Sequence, residues 1–131
     1  MISVKESAIL SIDYGERFFG FAIKLINEST IFPLEVIDSK STDINDVIQG
    51  HIVNYDVGVI IVGYPIGLKG NETKMTKLVD LFINNLKVAS DIDIHRVDER
   101  FSSKLNYQGH NNRVDGAAAL VNLETYIKNN A

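Results

Sequence analysis

Hydrophobic positions change their period several times along the chain, and each change marks an element. Ala8-Ile9-Leu10-Ser11-Ile12 is an apolar run that ends on Asp13 and turns at Gly15. After the turn, Phe19, Phe21, Ile23 and Leu25 alternate with smaller or polar residues. This pattern predicts a β-hairpin carrying a carboxylate at its tip. Thr30 to Ile37 predicts a third strand, and Pro33, which has no N–H for a ladder, sends it to a sheet edge. From Thr42 the period lengthens: Ile44, Val47, Ile48, Ile52 and Tyr55 form one helical stripe, with Asp43 in the first turn facing the positive end of the dipole. Val57 to Gly63 is an unbroken apolar run, the mark of a parallel strand covered on both faces. Met75, Leu78, Val79, Phe82 and Leu86 return to helical spacing, with Asn71 placed to cap. Ile92 to Val97 alternates as a fifth strand and runs into Asp98-Glu99-Arg100. Phe101 to Gln108 fits a short helix, Gly109 to Asn112 a turn, and Val114 to Lys128 a closing helix opened by Asp115.

Three strands in a meander followed by strand–helix crossovers predict an α/β fold. The expected arrangement is a five-stranded mixed sheet of order 3-2-1-4-5, with strand 2 antiparallel and helices on both faces. No repeat, linker or low-complexity stretch divides the chain, so residues 1–131 are expected to form a single domain.

Composition narrows the function classes. The chain is 45% hydrophobic and 23% charged, as ordinary globular proteins are. It has no cysteine, which excludes disulfides, thiolate metal sites and cysteine nucleophiles. No run approaches the ~18 apolar residues of a membrane helix, and Met1 to Ser7 lacks a signal-peptide layout, so no membrane association and a cytoplasmic location are expected. A net charge of -4 argues against a protein that coats nucleic acid, because non-specific phosphate binding is mainly cationic. Any nucleic-acid role must therefore rest on a local site.

Acidic residues supply the candidate for that site. In the expected sheet, strands 1 and 4 are neighbours, and ligands of open α/β sheets gather beyond the carboxyl ends of such strands. Asp13 stands at one such end, Asp98 or Glu99 at the end of the fifth strand, and Asp115 in the first turn of the last helix, whose Gly116-Ala117-Ala118-Ala119 flank allows close approach to the sheet. Each has an ordinary explanation: a strand-end Asp can bond its own backbone, and an acid in a helix's first turn offsets the dipole. Three carboxylates converging would repel one another unless protonated or neutralised by a hard divalent cation, and oxygen-only donors suit Mg²⁺ or Mn²⁺. Such ions support phosphodiester hydrolysis without a protein nucleophile. Alternation along the fifth strand puts Asp98 and Glu99 on opposite faces, so one of the two is expected to be the ligand.

The segments Ile12-Asp13-Tyr14-Gly15-Glu16-Arg17-Phe18-Phe19-Gly20, Val62-Gly63-Tyr64-Pro65 with Gly70, Asp98-Glu99-Arg100-Phe101-Ser102-Ser103 and Val114-Asp115-Gly116-Ala117-Ala118 resemble the bacterial YqgF/RuvX family. The family is related to Holliday-junction resolvases and includes a nuclease that matures the precursor of small-subunit ribosomal RNA. The resemblance covers nearly the whole chain in order. It implies an RNase H-like fold and a metal-dependent nuclease, in which Asp13, Asp98, Glu99 and Asp115 are the catalytic, metal-binding acids. It also implies that Gly15, Arg17, Gly63, Pro65, Gly70 and Arg100 line the groove for pre-rRNA or branched DNA. A monomer would suffice to trim RNA, whereas a homodimer would suit a two-fold junction. The chain departs from the family between Phe101 and Val114, where Gln108-Gly109-His110-Asn111-Asn112-Arg113 replaces a longer basic loop. A weaker cationic grip is expected.

Two other classes compete. A non-catalytic nucleic-acid- or ribosome-binding protein of the same fold would explain the acidic balance. An actin-like ATP-binding domain shares the Asp-x-Gly hairpin but needs two domains to clamp a nucleotide. The remaining polar residues read as structural or solvated: His51, His95 and His110 are too scattered for a metal cluster, Lys69, Lys74 and Lys77 sit beside the glycine-rich turn, and Phe18 and Tyr64 fit a core better than a base-stacking platform.

Overall fold

The computed structural model describes residues 7–64, 74–89, 91–98 and 117–130. The hairpin forms as β1 (Ala8–Asp13) and β2 (Phe18–Lys24), paired antiparallel with Asp13 opposite Gly20 and Leu10 opposite Ile23. The apolar run becomes β5 (Val57–Tyr64), parallel to β1 with Ile12 level with Val62. Strand β6 (Asp93–Asp98) lies parallel to β5 on its other side, with Gly63 level with Val97. The third expected strand divides into β3 (Ile31–Pro33) and β4 (Ile37–Asp38), both antiparallel to β2.

The sheet order is β3-β2-β1-β5-β6 with β4 also on β2, which is the expected order with six strands in place of five. The division follows from Pro33. It ends β3, and the pairing slips by one residue between Pro33 opposite Ala22 and Ile37 opposite Phe19, a bulge that lets an edge strand resume after a residue without an N–H.

Helices α1 (Ile44–Tyr55) and α2 (Lys74–Ala89) cover one face of the sheet, and α3 (Ala117–Asn130) covers the other. Leu10, Ile12, Phe21, Ile23, Ile60 and Val62 pack with Ile48, Val79 and Ile83 on the first face. Ile9, Ala22, Val59, Ile61 and Val97 pack with Ala119 and Leu123 on the second. This double cover explains why β1 is buried at every position up to Ile12 while alternating in side-chain destination. It also explains the small residues between the large ones of β2: they face α3, which comes close. Asp43 is the N-cap of α1 rather than a first-turn residue, its carboxylate accepting from the backbone N–H of Asn45 at 2.9 Å and of Asp46 at 3.4 Å. Among the described residues no helix is long and apolar enough to cross a membrane.

Candidate active site

Strand alternation decides which side of the sheet each site residue serves. Ile9 packs in the α3 cluster and the Ser11 hydroxyl donates to the Ala119 carbonyl of α3 at 2.7 Å, so Asp13, the next residue of that set, belongs to the α3 side. Asp13 is half-buried at the carboxyl end of the central strand β1.

Its neighbours on that side are both glycine. Gly20 lies directly across from it on β2. On β5, Ile12 is level with Val62, so the next position along is Gly63. Neither brings a side chain to the shelf on which the carboxylate stands. This is the structural meaning of Gly63 among the residues singled out from the sequence.

Gly15 has a steric role in the hairpin. A Cβ there would collide with the Phe18 backbone carbonyl oxygen, so the tight return of the chain after Asp13 requires glycine.

Arg17, expected at a substrate groove, is engaged. Its Nε donates to Asp38 Oδ1 at 3.1 Å and its terminal nitrogen to Oδ2 at 2.9 Å, a two-pronged pair that ties the start of β2 to β4. The guanidinium also sits 4.9 Å from the centre of the Phe18 ring. The Arg17 bond, followed by the backbone N–H of Lys40, holds the Asp38 carboxyl below its ordinary range, and the same pair raises Arg17. The Arg17 side chain is 50% exposed and that of Asp38 27%, so water still screens the pair and it orients more than it stabilises.

On the opposite side of the sheet, Tyr14 packs edge-on against Phe19, with ring centres 5.0 Å apart, and against Phe82 of α2 at 5.3 Å. Burial raises its phenol above the ordinary value, with Glu16 adding to the shift.

At the far edge, Asp98 is the last residue of β6 and is level with Tyr64. Along β6, His95 stacks on Tyr126 of α3 and Val97 joins the α3 cluster, while Ile94 packs on the other face and Arg96 pairs with Asp80 of α2 at 3.0 Å. Pro65, Gly70, Glu99, Arg100 and Asp115 lie outside the described residues, as do Lys69, Asn71, the segment 101–108 with Ser102 and Ser103, and the turn with His110. Helix α3 begins two residues after Asp115, and its third residue, Ala119, is fixed over Ser11. Among the described residues no three acidic or histidine side chains form a metal-holding group.

Ser11 went unremarked in the sequence although a signal was there: it is the lone hydroxyl in an apolar strand, two positions before the acid.

A mixed sheet of this order with helices on both faces is an RNase H-like fold. The fold is similar to that of RuvC from Thermus thermophilus, with a TM-score of 0.57 over 94% of this chain and 96% of that one at 10% sequence identity. It is equally similar to T. thermophilus RuvC in complex with a Holliday junction substrate, at TM-score 0.57 over 95% and 96% of the two chains.

The family model RuvX, described as Holliday junction resolvase, matches residues 7–129, and the chain belongs to that family. A Sulfurihydrogenibium sp. (strain YO3AOP1) protein is 34% identical over 134 residues, covering 92% of this chain and 90% of its own. One from Maridesulfovibrio salexigens is 33% identical, covering 91% and 96%. Both carry the name "Putative pre-16S rRNA nuclease". The resemblance seen in the sequence motifs is thus a family membership, and the family is one of nucleases.

Proposed function

We propose that the protein is a divalent-metal-dependent endonuclease that hydrolyses phosphodiester bonds in structured nucleic acid. The precursor of 16S rRNA, trimmed at its 5′ end in the cytoplasm, is the first candidate substrate, and a Holliday-type junction the second. The observation that carries this reading is Asp13: a half-buried carboxylate ending the central strand, flanked on its own side of the sheet by Gly20 and Gly63, two residues beyond the Ser11 that bonds the first turn of α3.

Asp13, Asp115 and one acid of the Asp98-Glu99 pair are the proposed holders of Mg²⁺ or Mn²⁺, and their oxygen-only chemistry fits a hard cation. Along β6, His95 and Val97 share the α3 side with Asp13, while Ile94 and Arg96 serve the other. The lines of β1 and β6 are two strand spacings apart, about 10 Å, which favours the longer arm of a glutamate. A bound divalent ion lowers the pKa of a coordinated water and offsets charge on the leaving oxygen. The chain's part is to hold the acids in place and leave the shelf clear for a phosphate. Gly15, Arg17, Gly63, Pro65, Gly70 and Arg100 are the proposed groove positions, Arg17 being presented by Asp38. Trimming RNA requires only a monomer; cutting two symmetric strands of a junction would call for a homodimer.

The test is Asp13→Asn. Cleavage of a pre-16S rRNA fragment in Mg²⁺ should fall by about two orders of magnitude or more, while the urea unfolding midpoint stays near that of the native protein. Undiminished cleavage refutes the assignment. Binding that survives both EDTA and this substitution, with no cleavage by the native chain, would identify a non-catalytic binding protein instead.

A further inference from the structure

Arg17 is held along one edge and on one face. Its Nε and one terminal nitrogen donate to Asp38, and its central carbon lies 4.9 Å from the centre of the Phe18 ring. A guanidinium carries five N–H groups in a rigid fork, so the outer edge still has donors to offer, and the side chain is half exposed. Asp38 is itself fixed. Its Oδ1 also accepts from the Lys40 backbone N–H at 2.9 Å, and its carbonyl accepts from the backbone N–H groups of Ser41 and Thr42, both at 3.1 Å. The Ser39 N–H donates to the Arg17 carbonyl at 2.7 Å, which clasps this turn to the hairpin tip that carries the arginine.

Strand alternation puts the corner on the same side of the sheet as Asp13. On β2, Ala22 packs with α3, whereas Phe19, Phe21 and Ile23 pack on the other face, so Phe18 and Gly20 share the α3 side. Asp38 is opposite Phe18 and its neighbour Ile37 packs on the other face, so Asp38 is on the α3 side too. Strands β4 and β1 flank β2, two strand spacings apart, about 10 Å. The residue of β2 level with Asp13 is Gly20, which puts no side chain in the way.

We infer that Asp38, together with Phe18, is a positioning residue that aims the outer edge of Arg17 at a backbone phosphate neighbouring the one cleaved at Asp13, a contact that needs no metal ion. The inference rests on the reading of Asp13 given above. It reverses the ordinary electrostatic expectation. Removing a carboxylate beside a bound polyanion leaves the arginine's charge unopposed and should tighten binding. If the carboxylate aims the arginine, removing its charge and one of its acceptor oxygens should weaken binding instead.

The experiment measures the Kd of a pre-16S rRNA fragment in EDTA at one salt concentration for the native chain, Asp38→Asn, Arg17→Ala and the double variant, with urea midpoints as the check on folding. The native chain should bind, and each single substitution should weaken binding by about three- to tenfold. The double variant should bind no worse than Arg17→Ala alone, because Asp38 acts through Arg17. Native or tighter binding by Asp38→Asn overturns the inference. So does a double variant weakened by the product of the two single effects, and so does loss of native binding in EDTA. Asp38→Glu keeps the charge but moves the carboxylate by one methylene, and it supplies the test if the asparagine variant does not fold: weaker binding supports the aiming role and native affinity overturns it. Cleavage by the native chain in Mg²⁺ is measured alongside. Its absence would count against the reading of Asp13, while the Kd values report on Asp38 and Arg17 separately.

Discussion

Asp13 owes its chemical character to what stands beside it. A carboxylate closing a parallel-type strand between two bulky neighbours would be walled in, but here both neighbouring positions are glycine. Gly15 lets the chain turn directly after the acid. His51 shows the opposite treatment of a titratable group. Its ring lies 5.3 Å from that of Phe21 and 5.9 Å from that of Tyr55, and its Nε2 is buried with no hydrogen-bond partner among the described residues. Burial lowers its pKa below the ordinary 6.5, and the charge of Glu35 only partly opposes this. Lowered folded-state affinity for a proton means that the unfolded chain protonates first. Stability should therefore be full above pH ~6.5 and decline as the pH falls from there towards the depressed folded-state value. Urea unfolding of the native chain and of His51→Gln between pH 7.5 and 5.5 checks this. The native midpoint should drop relative to the variant's as pH falls, and parallel curves would show that the ring is not shielded as described.

At the scale of elements, caps and breaks do the organising. Helix α1 closes on Asp56 in the left-handed region, at φ 55° and ψ 53°, with its N–H donating to the Ile52 carbonyl. A β-carbon is disfavoured there, and glycine is the residue such ends usually carry. Asp56→Gly should therefore raise unfolding stability by about 1 kcal/mol, measured by urea denaturation; a loss of stability would mean that the aspartate side chain contributes more than its backbone strain costs. Helices α1 and α2 and strands β1, β2, β5 and β6 were legible because each keeps one hydrophobic period for its whole length. The interruption at Pro33 was legible as an edge signal but not as two strands, because a one-residue slip in pairing leaves no mark on local periodicity. The cap role of Asp43 differs by one position from the first-turn role read from spacing, a distinction that depends on backbone angles. The acid at the tip of the hairpin was visible. The bond from Ser11 to α3 was not, since nothing in a five-residue apolar run specifies which helix turn will cover it.

The whole molecule is acidic, with 17 carboxylate residues against 13 lysines and arginines, and this sets how it can hold nucleic acid. Two of the cations that the sheet presents are already committed, Arg17 to Asp38 and Arg96 to Asp80. Lys74 and Lys77 stand exposed on α2, one helical turn apart. Counterion release scales with the number of phosphates neutralised, at about 0.9 in logarithmic slope per contact on a duplex and about 0.7 on a single strand. A chain this acidic, with both of those arginines engaged, should neutralise only a handful of phosphates. The slope of log K against log salt for binding a pre-16S rRNA fragment should accordingly be no steeper than about −3, a loss of less than roughly 100-fold between 50 and 200 mM KCl. Filter binding by Asp13→Asn, the variant proposed above to lose cleavage, at fixed Mg²⁺ measures it. A slope of −6 or steeper would mean that a broad cationic surface carries the grip, and that recognition is spread well beyond the shelf around Asp13.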